Sequence, residues 1–137
     1  MESSYANTDF DLRSSKPFDV LNAELSDACC ILHYAESKDG TWSASYEADR
    51  LNDSATNDIL AFIGVLDRLT EVAKQQLIEC TTRDFNVGVN CWDTWGYNIG
   101  LSASTVSAVA NVGCSISFTL YPMREPDGTP KIDEDGG

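Results

Sequence analysis

Cations are scarce in this sequence: nine Lys and Arg stand against 22 Asp and Glu, and His33 is its one histidine. Such a surface repels nucleic-acid phosphate and anionic lipid, so direct DNA or RNA binding is not expected. No CxxC pair and no Cys/His ligand spacing occurs, which removes the usual zinc frameworks. Neither a GxGxxG nor a GxxxxGK[ST] run is present, so Gly96 and Gly100 belong to no phosphate-binding fingerprint. Apolar runs stay far below the roughly 20 residues of a membrane span. The start, Met1-Glu2-Ser3-Ser4-Tyr5, has neither the basic nor the apolar part of a signal peptide, and a cytoplasmic protein without membrane contact is expected.

At 137 residues the chain suits one domain. A hydrophobic fraction of 42% and a charged fraction of 23% are those of an ordinary globular protein rather than a disordered one. The cysteines Cys29, Cys30, Cys80, Cys91 and Cys114 are odd in number and lie mostly in apolar segments, which fits reduced thiols used as small hydrophobes. Adjacent Cys29 and Cys30 point to opposite faces of a strand and would bridge only under strain.

The net charge of −13 is unevenly spread. Residues 1–58 hold 12 acids and 4 bases, residues 59–124 hold 5 and 4, and residues 125–137 hold 5 and 1. A basic protein partner is compatible with that asymmetry, although acidity also serves solubility alone.

Hydrophobic periodicity supplies the elements. Asp9-Phe10-Asp11-Leu12-Arg13 alternates as a half-buried strand does, and Ser14-Ser15-Lys16-Pro17 opens a short helix running to about Leu25. Cys30, Leu32 and Tyr34, then Trp42, Ala44 and Tyr46, alternate on either side of Lys38-Asp39-Gly40, which predicts a hairpin. Ile59, Phe62, Ile63, Leu66, Leu69, Ala73 and Leu77 recur at three- and four-residue steps and predict one long helix. Phe85, Val87, Val89 and Cys91 mark another strand, and Ser102 caps a short helix closed by Gly113. Ile116, Phe118 and Leu120 mark the last strand, and beyond Pro122 the acidic, Pro- and Gly-containing stretch reads as a disordered tail. The expected organisation is an extension over 1–7, a domain over 8–123 and a tail over 124–137. Its fold class is α+β: a mostly antiparallel sheet of about five strands with one long and two short helices, a ferredoxin-like sandwich.

The stretch from Cys80 to Gly88, then Gly100-Leu101-Ser102, then Ser117-Phe118-Thr119-Leu120-Tyr121-Pro122, resembles a widespread bacterial family of small proteins, the domain of unknown function numbered four-two-seven-nine or a close relative. The resemblance covers about Thr8 to Pro122 and implies an α+β fold and bacterial origin. It implies no catalytic residues.

Chemistry is sparse. His33 lies mid-strand with no sequence neighbour to pair with, so a structural role outweighs a catalytic one and no enzyme is expected. Asp9 with Asp11, and Glu47 with Asp49, could serve acid/base or cation chemistry, but among 22 acids such pairs arise without purpose and read as solvated faces. Asp133-Glu134-Asp135 lacks the spaced ligands of a calcium loop. No cofactor or metal is expected.

One segment stands out, the loop from Cys91 to Asn98, in which Trp92, Trp95 and Tyr97 crowd a turn beside Asp93. Either the tryptophans close the end of the core, or they anchor a protein interface rimmed by Asp93, Asp39 and Asp49. The function expected is therefore protein binding, foremost an immunity protein that neutralises a bacterial toxin, the cognate basic partner, by occluding its active site. The alternatives are a phage or mobile-element inhibitor that mimics nucleic-acid charge and a small enzyme of unrecognised type.

Overall fold

A computed structural model describes residues 2–48 and 54–131. The elements run β1 (Ser4–Ser14), α1 (Asp19–Ala28), β2 (Cys29–Glu36), β3 (Trp42–Ala48), α2 (Ala55–Asp67), α3 (Glu71–Glu79), β4 (Thr82–Cys91), α4 (Ala103–Asn111) and β5 (Ser115–Pro122). The expected α+β class is met, and so is a five-stranded, mostly antiparallel sheet. Its order is β2-β3-β1-β4-β5, with every neighbouring pair antiparallel except β4 and β5, which run parallel.

Period-two alternation decides which side of β1 is dry. Thr8, Phe10, Leu12 and Ser14 are buried, as are Ala44, Tyr46 and Ala48 on β3 and Phe85, Val87 and Val89 on β4. Helix residues Leu21, Leu25, Ile59, Phe62, Leu66, Ala73, Leu77 and Val109 complete this core. At its centre Phe10 stacks on Phe85 at 4.8 Å between ring centroids, and Phe62 of α2 closes the trio at 5.7 and 5.8 Å. The alternate residues of β1, Asn7, Asp9, Asp11 and Arg13, face away from the helices onto an open sheet face.

Two features depart from the expected sandwich of one long and two short helices on an antiparallel sheet. The predicted long helix is broken: α2 ends at Asp67, buried Leu69 occupies the corner, and Thr70 caps α3 by accepting from the Ala73 N–H at 3.3 Å. Glu24 of α1 fixes this corner, its carboxylate accepting the Thr70 N–H at 2.9 Å and the Thr70 hydroxyl at 2.5 Å. Those two bonds hold the Glu24 carboxyl below the usual carboxylate range. The apolar steps continue through the corner, so periodicity alone gives no sign of it. The second departure is the β4–α4–β5 crossover, which adds a parallel strand beyond β4.

Boundaries shift as well. Ser4–Asn7, expected as an extension, continue β1 beside β4, with a bulge between Tyr5 and Asn7. Gly88 lies opposite that bulge, where a Cβ would stand 2.5 Å from Asn7 Oδ1 and 2.9 Å from the Tyr121 ring, so any larger residue would force those side chains to shift. Residues 124–131, expected as disordered tail, form a compact turn in which Arg124 bridges to Pro130 and the Lys131 N–H donates to Met123 O at 2.9 Å. The remainder of the predicted tail, including Asp133-Glu134-Asp135, lies outside the described residues.

Cys29 is buried and Cys30 exposed, on opposite faces of β2 as the alternation predicts. Burial pushes the Cys80 and Cys114 thiols up to about 11, which leaves both protonated and poorly nucleophilic. Among the described residues no helix is long and apolar enough to cross a membrane.

Candidate protein interface

The aromatic loop leaves β4 at the sheet end where β1 begins. Its first residue is fastened to the chain's start: the Trp92 N–H donates to Ser3 Oγ at 2.9 Å, and the Ser3 N–H donates to Thr94 Oγ1. From the other side, the Met123 N–H donates to Cys91 O at 3.0 Å. Arg124 then reaches back across the loop. Its Nε donates to Asp93 Oδ1 at 2.9 Å, its Nη2 pairs with Asp93 Oδ2, and its guanidinium lies 5.6 Å from the centre of the Trp92 ring. Nη1 donates to Gly128 O at 3.2 Å, tying the loop to the turn that follows β5.

This clamp divides the aromatics by role. Trp92 is half-buried under Arg124, Tyr97 is exposed, and Trp95 stands wholly in solvent. Closing the core is thus no part of Trp95's work. The rim expected around it also changes. The Arg124 guanidinium holds the Asp93 carboxyl below its ordinary range, and its charge is already matched within the chain. Asp39 sits in the β2–β3 turn beside Trp42, whose strand partner is Ser14, so it lies at the opposite end of the sheet from the loop. Its carboxylate accepts the Thr41 N–H at 2.9 Å and the Ser37 hydroxyl, stabilising a turn whose Gly40 adopts φ +85°. Asp39 is a turn residue and no neighbour of Trp95. Asp49 lies outside the described residues. Arg124, which sequence reasoning assigned to the tail, is the residue that organises the loop, and only the folded register of β5 reveals it.

The open sheet face gathers a second set of polar groups. Asp9 lies opposite Glu47 of β3 and Asn86 of β4, while Asp11 lies opposite Ser45 and Asp84. Asn7 Nδ2 donates to Asp9 Oδ1 and to Glu47 Oε1, each at 3.1 Å. The Ser45 hydroxyl donates to Asp11 at 2.6 Å, Ser115 donates to Asp84 at 2.7 Å, and Ser117 donates to the other Asp84 oxygen. Burial, with Glu47 and Asp11 close by, pushes the Asp9 carboxyl up to about 6. His33, at the β2 bulge, is exposed and meets the Ser43 hydroxyl at 3.4 Å. No group of three or more His, Cys, Asp or Glu side chains among the described residues is arranged to hold a metal ion.

No family model matches the chain, and neither a curated protein nor a solved structure matches it.

Proposed function

We propose that the chain is an acidic protein-binding domain of the cytoplasm, an immunity protein that neutralises a basic bacterial toxin by occluding its active site. Trp95 carries this reading. A tryptophan held fully in water at the tip of a loop clamped by Arg124 and Asp93 is a preorganised anchor, the kind of side chain that dominates interface energy when it enters a pocket. The net charge of −13 favours fast encounter with a cationic partner. The scaffold is read as a ferredoxin-like sandwich extended by α4 and β5. A second reading, an inhibitor that mimics nucleic-acid charge, is favoured by the carboxylates Asp9, Asp11, Glu47 and Asp84 ranged over one sheet face.

The test begins with capture of partners by the tagged protein from its native host, washed at low and then raised salt, and continues with binding kinetics. For a captured toxin, Trp95→Ala is expected to speed dissociation by tenfold or more, the cost of about 2 kcal/mol typical of a central anchor. The variant's melting temperature should stay unchanged. Asp39→Lys, at the far end of the sheet, should leave dissociation as it was. Recovery of a nucleic-acid-handling enzyme instead of a toxin would move the assignment to mimicry, and wild-type kinetics in Trp95→Ala would remove the loop from the interface.

A further inference from the structure

On the open sheet face, over the half of β1 remote from the aromatic loop, lies a cleft of about 460 Å³, within the roughly 300–1,000 Å³ of ordinary ligand sites. Asp11, Arg13, His33, Asp84, Ser115 and Ser117 are among its walls. Strand register sets their order. Asp11 and Asp84 are direct partners across β1 and β4, and Arg13 lies two residues further along β1, between Ser43 and Thr82. Two residues of strand are about 7 Å, so a carboxylate pair and a guanidinium occupy neighbouring rows of one cleft.

Like charges directly opposite one another on paired strands are unfavourable. Among the described residues, hydroxyls are what ease Asp11 and Asp84, that of Ser45 on one side and those of Ser115 and Ser117 on the other. The ion pairs among the described residues are elsewhere, Lys16 with Glu79 and Arg124 with Asp93. The Arg13 guanidinium donates no hydrogen bond to a described residue, whereas Arg83, on the same sheet, spends its guanidinium on four backbone carbonyls. An anionic end and a cationic end, separated by one row and lined with hydroxyls, match a ligand that carries both charges a few bonds apart.

We infer that this cleft binds a small zwitterion of the amino-acid class, its ammonium between Asp11 and Asp84 and its carboxylate on Arg13, with the His33 ring and Ser43 hydroxyl beside that carboxylate. A free phosphate or nucleotide would meet the two carboxylates, and a simple amine or polyamine would leave Arg13 unmatched. The site is separate from the aromatic loop and stands whether or not the loop binds a toxin.

The experiment is an amide NMR titration of the full chain with a panel of L-amino acids. L-alanine is matched in it against ethylamine, which lacks the carboxylate, and propionate, which lacks the ammonium. Saturable shifts at Asp11, Arg13, Ser45, Asp84, Ser115 and Ser117 are expected with amino acids. Ethylamine and propionate should bind about tenfold or more weakly, as the loss of one charge-assisted contact implies. Arg13→Gln should weaken amino-acid binding about tenfold while leaving ethylamine binding unchanged, and Asp84→Asn should weaken both. The amide spectrum of each variant reports directly that it remains folded. Absence of saturable shifts across the panel, shifts elsewhere on the surface, or ethylamine binding as tight as L-alanine would each overturn the assignment.

Discussion

Asp9 sits half-buried on β1 with Glu47 opposite and Asp11 on the same face, and its carboxyl is pushed from 3.8 up to about 6, by burial first and by those two carboxylates next. The native state therefore holds a proton that the unfolded chain has already released. Stability from this group is complete below about pH 4 and is lost as pH rises through 6, because the folded form binds more protons across that window. At neutral pH the ionised Asp9 is a burden on the fold. Asp9→Asn keeps an oxygen for the Asn7 amide and removes the charge, so it should stabilise the protein at neutral pH by about 1 kcal/mol, a figure reduced for a side chain half in solvent. The gain should vanish near pH 4. Urea unfolding at the two pH values decides it, and equal gains at both would show that repulsion among these carboxylates is not the cause. In the sequence, Asp9 and Asp11 are one acidic pair among many. What gives them weight is the register that brings Glu47 and Asp84 from distant segments onto the same face, and single-strand alternation carries no register.

At the level of elements, Arg83 joins pieces that sequence places far apart. Its Nη1 donates to the carbonyls of Leu77 at 3.2 Å, Ile78 at 2.8 Å and Cys80 at 2.8 Å, and its Nε donates to Gly113 O at 2.8 Å. One cation thus satisfies the carbonyl ends of α3 and of the turn after α4, where a positive charge also suits both helix dipoles. Arg83→Gln should cost about 2 kcal/mol by chemical denaturation, and Arg83→Lys should restore only part of it, because an ammonium cannot span the same fork. A loss confined to the range of an ordinary surface change would show that water replaces the guanidinium freely. Nothing in Thr82-Arg83-Asp84 marks this role, since the receiving carbonyls belong to backbone. The strands and the α4 cap at Ser102 were legible because alternation and capping are local: the Ser102 hydroxyl accepts from the Thr105 N–H at 3.2 Å as its position predicts. The corner between α2 and α3 was not, since it depends on Glu24, 46 residues before Thr70. Thr70 itself, a capping residue followed by Glu71, is the local signal that the continuing apolar steps outweighed.

Over the whole molecule the governing quantity is charge. With a net −13 on 137 residues, and ion pairing among the described residues limited to Lys16 with Glu79 and Arg124 with Asp93, self-repulsion outweighs attraction. Both pairs are at the surface, where such contacts contribute little and lose little on screening. The sheet adds to the imbalance by ranging Asp9, Asp11, Glu47 and Asp84 over one face, in an order that only the assembled topology produces. Screening should therefore stabilise this protein. Raising NaCl from about 0.01 M to about 0.15 M shortens the Debye length from about 30 Å to about 8 Å and removes most of the long-range repulsion. The melting temperature should rise by several degrees, the equivalent of about 1 kcal/mol in a domain of this size. KCl should reproduce the rise, because screening depends on ionic strength and not on the cation. Asp9→Asn should show a smaller rise than the wild type, since one of the repelling charges is already gone. A melting temperature that falls with salt would mean that attractive pairs dominate the surface, and with it the account of the acidic sheet face would fail.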